Sequence, residues 1–177
     1  MFIGPADVAT LALTLAKELK RRGHEVKAVR GFRGKDYMDR YDAVLDLQSK
    51  GRAGRLAAQL KCFLSNLNRD VYIFIFGESF LPRNLDLPLL WLLRKKTLMI
   101  FVGCDLRHWS LIEPDAERRG VRYDMCKECD ERAACTGKLA WKKRMAKSAQ
   151  RWCTVVWACP DYAQLLSRWK MYWVPID

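Results

Sequence analysis

The chain has 177 residues, half of them apolar, which is enough to bury one substantial core and excludes wholesale disorder. Its 32 basic residues outnumber 20 acidic ones, and the net charge of +12 favours an anionic partner: phosphate groups, nucleic acid or an acidic membrane surface. Seven cysteines, an odd number, with no positive charge ahead of the first apolar run, argue against a secreted disulfide framework and for thiols or metal ligands in a cytoplasmic protein.

Residues 1–3 read as the tail of a first strand, and Gly4-Pro5 as the turn after it. Over residues 6–22, Val8, Leu11, Ala12, Leu15 and Leu19 recur at helical spacing, with Gly23 placed to end the helix. A second strand is predicted at 24–29, a polar loop at 31–40 and a brief third strand at 43–45. Leu56, Leu60, Phe63, Leu64 and Leu67 form the apolar stripe of a second helix. The run Val71-Tyr72-Ile73-Phe74-Ile75-Phe76 has the pattern of a strand buried on both faces and ends in Gly77-Glu78-Ser79.

A third helix is predicted to include 89–93, and a fifth strand 97–102. The apolar stretch 85–102 is cut by Asp86, Pro88 and Arg94-Lys95-Lys96, too interrupted to span a bilayer. Residues 108–136 break the rhythm with a polar insertion holding Pro114, Gly120 and three close cysteines. A basic helix follows over 138–152, then a strand at 154–158, a helix at 161–168 and a last strand at 171–174. Alternation of strand and helix predicts an α/β chain, a Rossmann-like three-layer sandwich with a mostly parallel sheet, in a single domain over 1–177.

In such sheets ligands sit outside the carboxyl ends of the strands. Asp7, Glu78, Ser79, Asp105, Arg107 and Asp161 all fall at strand ends, where carboxylates can accept bonds from sugar hydroxyls and Arg107 can grip phosphate. Asp7 and Asp161 also suit a purely structural role as acids near helix N-termini. The G-x-G-x-x-G and G-x-x-x-x-G-K-[ST] patterns are missing from the sequence, which disfavours dinucleotides and nucleoside triphosphates. The two histidines, His24 and His108, make no hydrolase triad.

Cys126-x2-Cys129-x5-Cys135 has the spacing of thiolate ligands to structural zinc or an iron–sulfur cluster, with Cys104, Cys153 or Cys159 available as a fourth. Unmetallated surface thiols would share the pattern. Basic clusters at Lys20-Arg21-Arg22, residues 30–35, Arg118-Arg119 and Lys142-Lys143-Arg144-Lys147 read as solvated faces. With seven tryptophans they would also suit peripheral contact with an anionic inner membrane face. No nucleic-acid-binding signature accompanies them.

The opening Ile3-Gly4-Pro5-Ala6, with its helix ending Leu19-Lys20-Arg21-Arg22-Gly23-His24-Glu25-Val26, resembles the start of GT-B glycosyltransferases of the family 4 branch. Asp70-Val71-Tyr72-Ile73 matches the run into their fourth strand. Val102-Gly103-Cys104-Asp105-Leu106-Arg107 is similar to the family's H-G-S-D-x-R turn, and Trp173-Val174-Pro175-Ile176-Asp177 to the V-P-N-G-V-D that closes its first domain. Two positions depart from the pattern: Val102 replaces the histidine and Cys104 the serine.

The resemblance implies an acceptor-binding N-terminal half of a glycosyltransferase, with Gly4, Glu78, Asp105 and Arg107 positioning a sugar acceptor. It implies no metal for the chemistry. The donor-binding domain, with its E-x7-E pair, is outside this sequence and would be supplied in cis or in trans. The chain alone is then expected to be inactive towards nucleotide sugars. The alternative is a non-catalytic Rossmann-like binding module carrying structural zinc.

Overall fold

The computed structural model describes residues 1–31, 40–47 and 49–171. Its strands are β1 (Phe2–Ile3), β2 (Lys27–Arg30), β3 (Ala43–Val44), β4 (Val71–Ile75), β5 (Lys96–Ile100), β6 (Val155–Ala158) and β7 (Lys170–Met171). They form one sheet in the order β3-β2-β1-β4-β5-β6-β7. Every pairing among the described residues is parallel, so the sheet is more uniform than the mostly parallel one expected. The fold is a Rossmann-like three-layer sandwich.

β4 runs through the centre because its β-branched and aromatic side chains can be buried on both faces. Tyr72 and Phe74 point to one face; Ile73 and Ile75 point to the other. On the second face α1 (Leu11–Arg21) lays Ala12 and Ala16 against Ile3, Ala28, Ile73 and Ile100. The opposite face carries α2 (Arg52–Leu64), α3 (Leu87–Leu92) and α6 (Leu139–Trp152). Between β5 and β6 the chain also forms α4 (Trp109–Arg118) and the short α5 (Arg132–Thr136).

At the heart of the larger core, Phe2, Phe63, Tyr72, Phe74 and Phe80 pack as a cluster of tilted and edge-on rings, with Phe2 and Phe80 centroids 4.4 Å apart. This cluster explains a departure from the apolar stripe expected on α2. Leu56, Leu60 and Leu64 are exposed, while Gln59, Cys62 and Phe63 are buried. The helix is rotated to deliver Phe63 to Phe80, 5.4 Å between centroids, and the leucine row is left in solvent.

Other elements shift for local reasons. α1 starts at Leu11 and not at residue 6, because Ala9 and Thr10 adopt left-handed backbone angles and Asp7 caps the helix from outside, its Oδ1 accepting the Ala12 N–H at 2.8 Å. The insertion 108–136 is less irregular than its composition suggests. Pro114 forfeits one backbone bond, yet α4 holds because Ile112 and Ala116 bury its inner face. The helix expected at 161–168 is a 3-10 segment, Pro160–Leu165, broken at Tyr162. On α6, Met145 and Ala149 face inward, and Lys142, which the sequence places on a solvated face, joins them at 2% exposure. Most of the predicted last strand, and the closing Trp173-Val174-Pro175-Ile176-Asp177, lie outside the described residues, as does most of the basic cluster at 30–35.

Candidate functional site

Parallel pairing sends every strand's carboxyl end to the same edge. Because β1, β4 and β5 are neighbours, the turns at Gly4, Gly77 and Gly103 stand side by side there. Chain order reverses between β1 and β4, with α1 on one face and α2 on the other, so this is the switch point where such sheets open a crevice. The turns are stitched together: Gly4 N–H donates to Ile73 O at 3.1 Å, and Phe76 N–H to Ile100 O at 2.9 Å. The side chain of Phe101 lies 2.9 Å from where a Cβ on Gly77 would sit, so the turn after β4 can hold only glycine this close to β5.

Beside the β4 turn lies a cleft of about 540 Å³. Its walls are Arg52, Arg55 and Leu56 from the first turns of α2, Glu78 and the 79–84 loop, and Trp141 with Met145 from α6. The loop is held by a buried polar network. Ser79 Oγ donates to Asp86 Oδ1 at 2.6 Å, Leu81 N–H donates to the same oxygen at 2.9 Å, and Ser79 N–H donates to Asn84 Oδ1 at 2.9 Å. Asn84 closes the ring by donating from Nδ2 to Gly77 O at 3.0 Å. Burial pushes the Asp86 carboxyl above its ordinary range against these donors. Asn84→Ala should leave Ser79 N–H and Gly77 O unpaired in the interior. A loss of about 2 kcal/mol in urea unfolding is expected, with a weaker grip on whatever fills the cleft.

The four residues expected to position an acceptor do not play one part. Gly4 and Asp105 build the edge, and only Glu78 lines the cleft. Asp105 is 1% exposed and its carboxylate serves its own turn, accepting N–H groups from Gly103 at 2.8 Å, Leu106 at 3.1 Å and Val102 at 3.2 Å. Burial nevertheless raises its pKa to about 6. Arg107 turns away from the cleft towards the insertion, donating to Tyr123 Oη at 3.1 Å, touching Met125 Sδ and lying over the Tyr162 ring. Asp7 caps α1 and accepts from Tyr41, a structural role, and Asp161 is exposed in the first turn of its 3-10 segment. The sequence alone does not mark Arg52, Arg55, Arg83 or Trp141 as site residues. The i, i+3 spacing of Arg52 and Arg55 put both on one helix face, a signal for one site, but nothing local tied them to Glu78.

A second hollow, about 580 Å³, follows α1 from Thr10 to Lys20 and is bordered by Arg40. It runs along the helix and away from the strand ends, so the cleft at Glu78 is the better candidate. Of the insertion cysteines, Cys129 is exposed and Cys126 and Cys135 half-buried. Among the described residues no three potential ligands already stand together in a group that could hold a metal.

No protein-family model, curated protein or solved structure matches this chain. The fold and the cleft beside the β4 turn define the class: a Rossmann-like domain with a ligand-sized cleft on the carboxyl edge of its sheet. No helix among the described residues is long and apolar enough to cross a membrane.

Proposed function

We propose that this chain is the acceptor-binding half of a GT-B glycosyltransferase, working with a donor-binding domain in cis or in trans. The observation that carries the reading is the cleft beside the β4 turn, where Glu78 stands among three arginines and an indole. A carboxylate suits sugar hydroxyls, Trp141 offers a flat apolar wall for a sugar ring, and Arg52, Arg55 and Arg83 suit an anionic group carried by the acceptor. The acceptor class that fits is a glycan bearing phosphate or carboxylate. The net charge of +12 would draw such a ligand, or the anionic surface that presents it, towards the domain.

The test is ligand-observed and chemical-shift NMR with neutral sugars, sugar phosphates and uronic acids. The expected result is binding of the charged sugars, with shifts at Glu78, Arg83 and Trp141. Glu78→Gln and Arg83→Ala should each weaken it by about tenfold, the loss of one charge-assisted hydrogen bond. Nucleotide sugars should show no turnover with this chain alone. Binding that ignores these substitutions, or shifts confined to the α1 hollow, would refute the assignment. The internal engagement of Asp105 and Arg107 favours one second reading, a binding module with no chemistry of its own. That reading stands if charged sugars bind but no donor-binding domain restores transfer.

A further inference from the structure

Among the described residues two cations, Lys142 buried and Arg107 half-buried, sit without a carboxylate partner. Lys142, on the inner face of α6, is 2% exposed, and its ammonium meets the Arg107 carbonyl and, at 3.2 Å, Cys135 Sγ. Among the described residues it makes no ion pair with a carboxylate. Arg107 is half-buried with the same deficit: its guanidinium meets a phenol, a thioether and a ring face, and its Nε has no partner. Taking an ammonium or guanidinium out of water without a counter-charge is strongly unfavourable. By contrast Arg132, nearby, is properly paired with Glu113 at 2.9 Å.

What surrounds both orphans is sulfur. Lys142 bridges the Arg107 carbonyl to Cys135 Sγ, and His108 Nε2–H donates to the Cys135 carbonyl at 3.1 Å, so Cys135 is pinned to the turn after β5. Arg107 reaches across to Tyr123 and Met125, in the run that leads into Cys126, and Arg132 donates to the Cys126 carbonyl at 3.0 Å. Cys104 lies exposed on that same turn, next to Gly103, where the Arg107 guanidinium folds back so closely that a Cβ on Gly103 would sit 2.7 Å from Nη2. Cys129 shares the Cys-x-x-Cys turn with Cys126. The other three thiols are elsewhere: burial holds Cys62 up at about 11 and Cys153 at about 12, and Cys159 packs against the main core.

We propose that Cys104, Cys126, Cys129 and Cys135 form one tetrathiolate zinc site, with Lys142 and Arg107 as its counter-cations. Four thiolates around a divalent ion leave two negative charges, and the Lys142 ammonium and Arg107 guanidinium neutralise them. α5 buries no residue, so the segment has no core to define it and metal binding supplies the free energy that draws the sulfurs together. Cys104, where the glycosyltransferase resemblance has serine, thereby joins the insertion to the turn beside the cleft. The inference does not depend on the sugar-binding reading.

Elemental analysis, chelator competition and cobalt(II) substitution of the purified chain test it. The expected result is about one zinc per chain and a cobalt spectrum of tetrahedral four-thiolate type. Cys104→Ser should weaken zinc by at least about a hundredfold and reduce the sulfur-to-cobalt band, while Cys159→Ser changes neither. Lys142→Gln should cost about tenfold in affinity with the cobalt spectrum retained, as outer-shell partners do. If Cys104→Ser fails to fold, the wild-type cobalt spectrum still decides between three and four thiolates. A folded, metal-free protein, zinc held equally well by Cys104→Ser, or iron with sulfide in place of zinc would overturn the proposal.

Discussion

Gly4→Ala should abolish cooperative folding, or lower stability by more than about 4 kcal/mol, an effect confined to a few mechanisms such as backbone collision. Gly4 has φ +125, and a Cβ there would sit 2.0 Å from the Val29 carbonyl oxygen and 3.0 Å from its carbon. Both atoms belong to the backbone of β2, which is parallel-paired to β1. Relief would require the two strands to part, and β1 is a central strand with β4 on its other side. Gly23→Ala is the matched control. Gly23 has φ +85 at the end of α1 but nothing within 4 Å of the added Cβ. Only the left-handed conformation is then penalised, about 1 kcal/mol. Urea unfolding of the two variants measures the gap, and similar losses in both would show that the β1–β2 contact is not tight.

Asp105 should produce the second large effect and a recognisable pH signature. Asp105→Ala strands three N–H groups, of Val102, Gly103 and Leu106, on the inside of the turn, at a cost of about 3–5 kcal/mol. The pH dependence follows from burial, which raises this carboxyl to about 6 in the folded chain, against about 4 when unfolded. The folded state therefore holds the proton more tightly. Its contribution is fully present below about pH 4 and is lost as pH climbs through about 6, up to about 3 kcal/mol in all. Asp105→Asn removes the titration. The difference in unfolding free energy between wild type and Asp105→Asn should fall across this window, whereas parallel curves from pH 4 to 7 would refute it. Asp86, also raised by burial, is common to both proteins and cancels.

Asp105 and Arg107 also show how a motif can be legible while its purpose is not. The run Gly103-Cys104-Asp105-Leu106-Arg107 was identifiable as a turn at the end of a strand, and that is where it lies. Its carboxylate and guanidinium read equally well as ligand contacts until the backbone showed where their partners were. Glu78, flagged by the same argument, does line the cleft. Arg52, Arg55 and Trp141 escaped because their neighbourhood is assembled from α2, the β4 loop and α6, far apart along the chain.

Local chemistry was enough to place the first six strands to within a few residues, the Gly4, Gly77 and Gly103 turns and the α/β class, because hydrophobic periodicity and glycine conformation depend on near neighbours. Strand order, the rotation of α2 that exposes its leucines, the burial of Lys142 against Cys135 and the reach of Arg107 to Tyr123 came only with the packed molecule. Each is set by which surfaces compete for one core and by charges meeting across long sequence separations, quantities that no window along the chain contains.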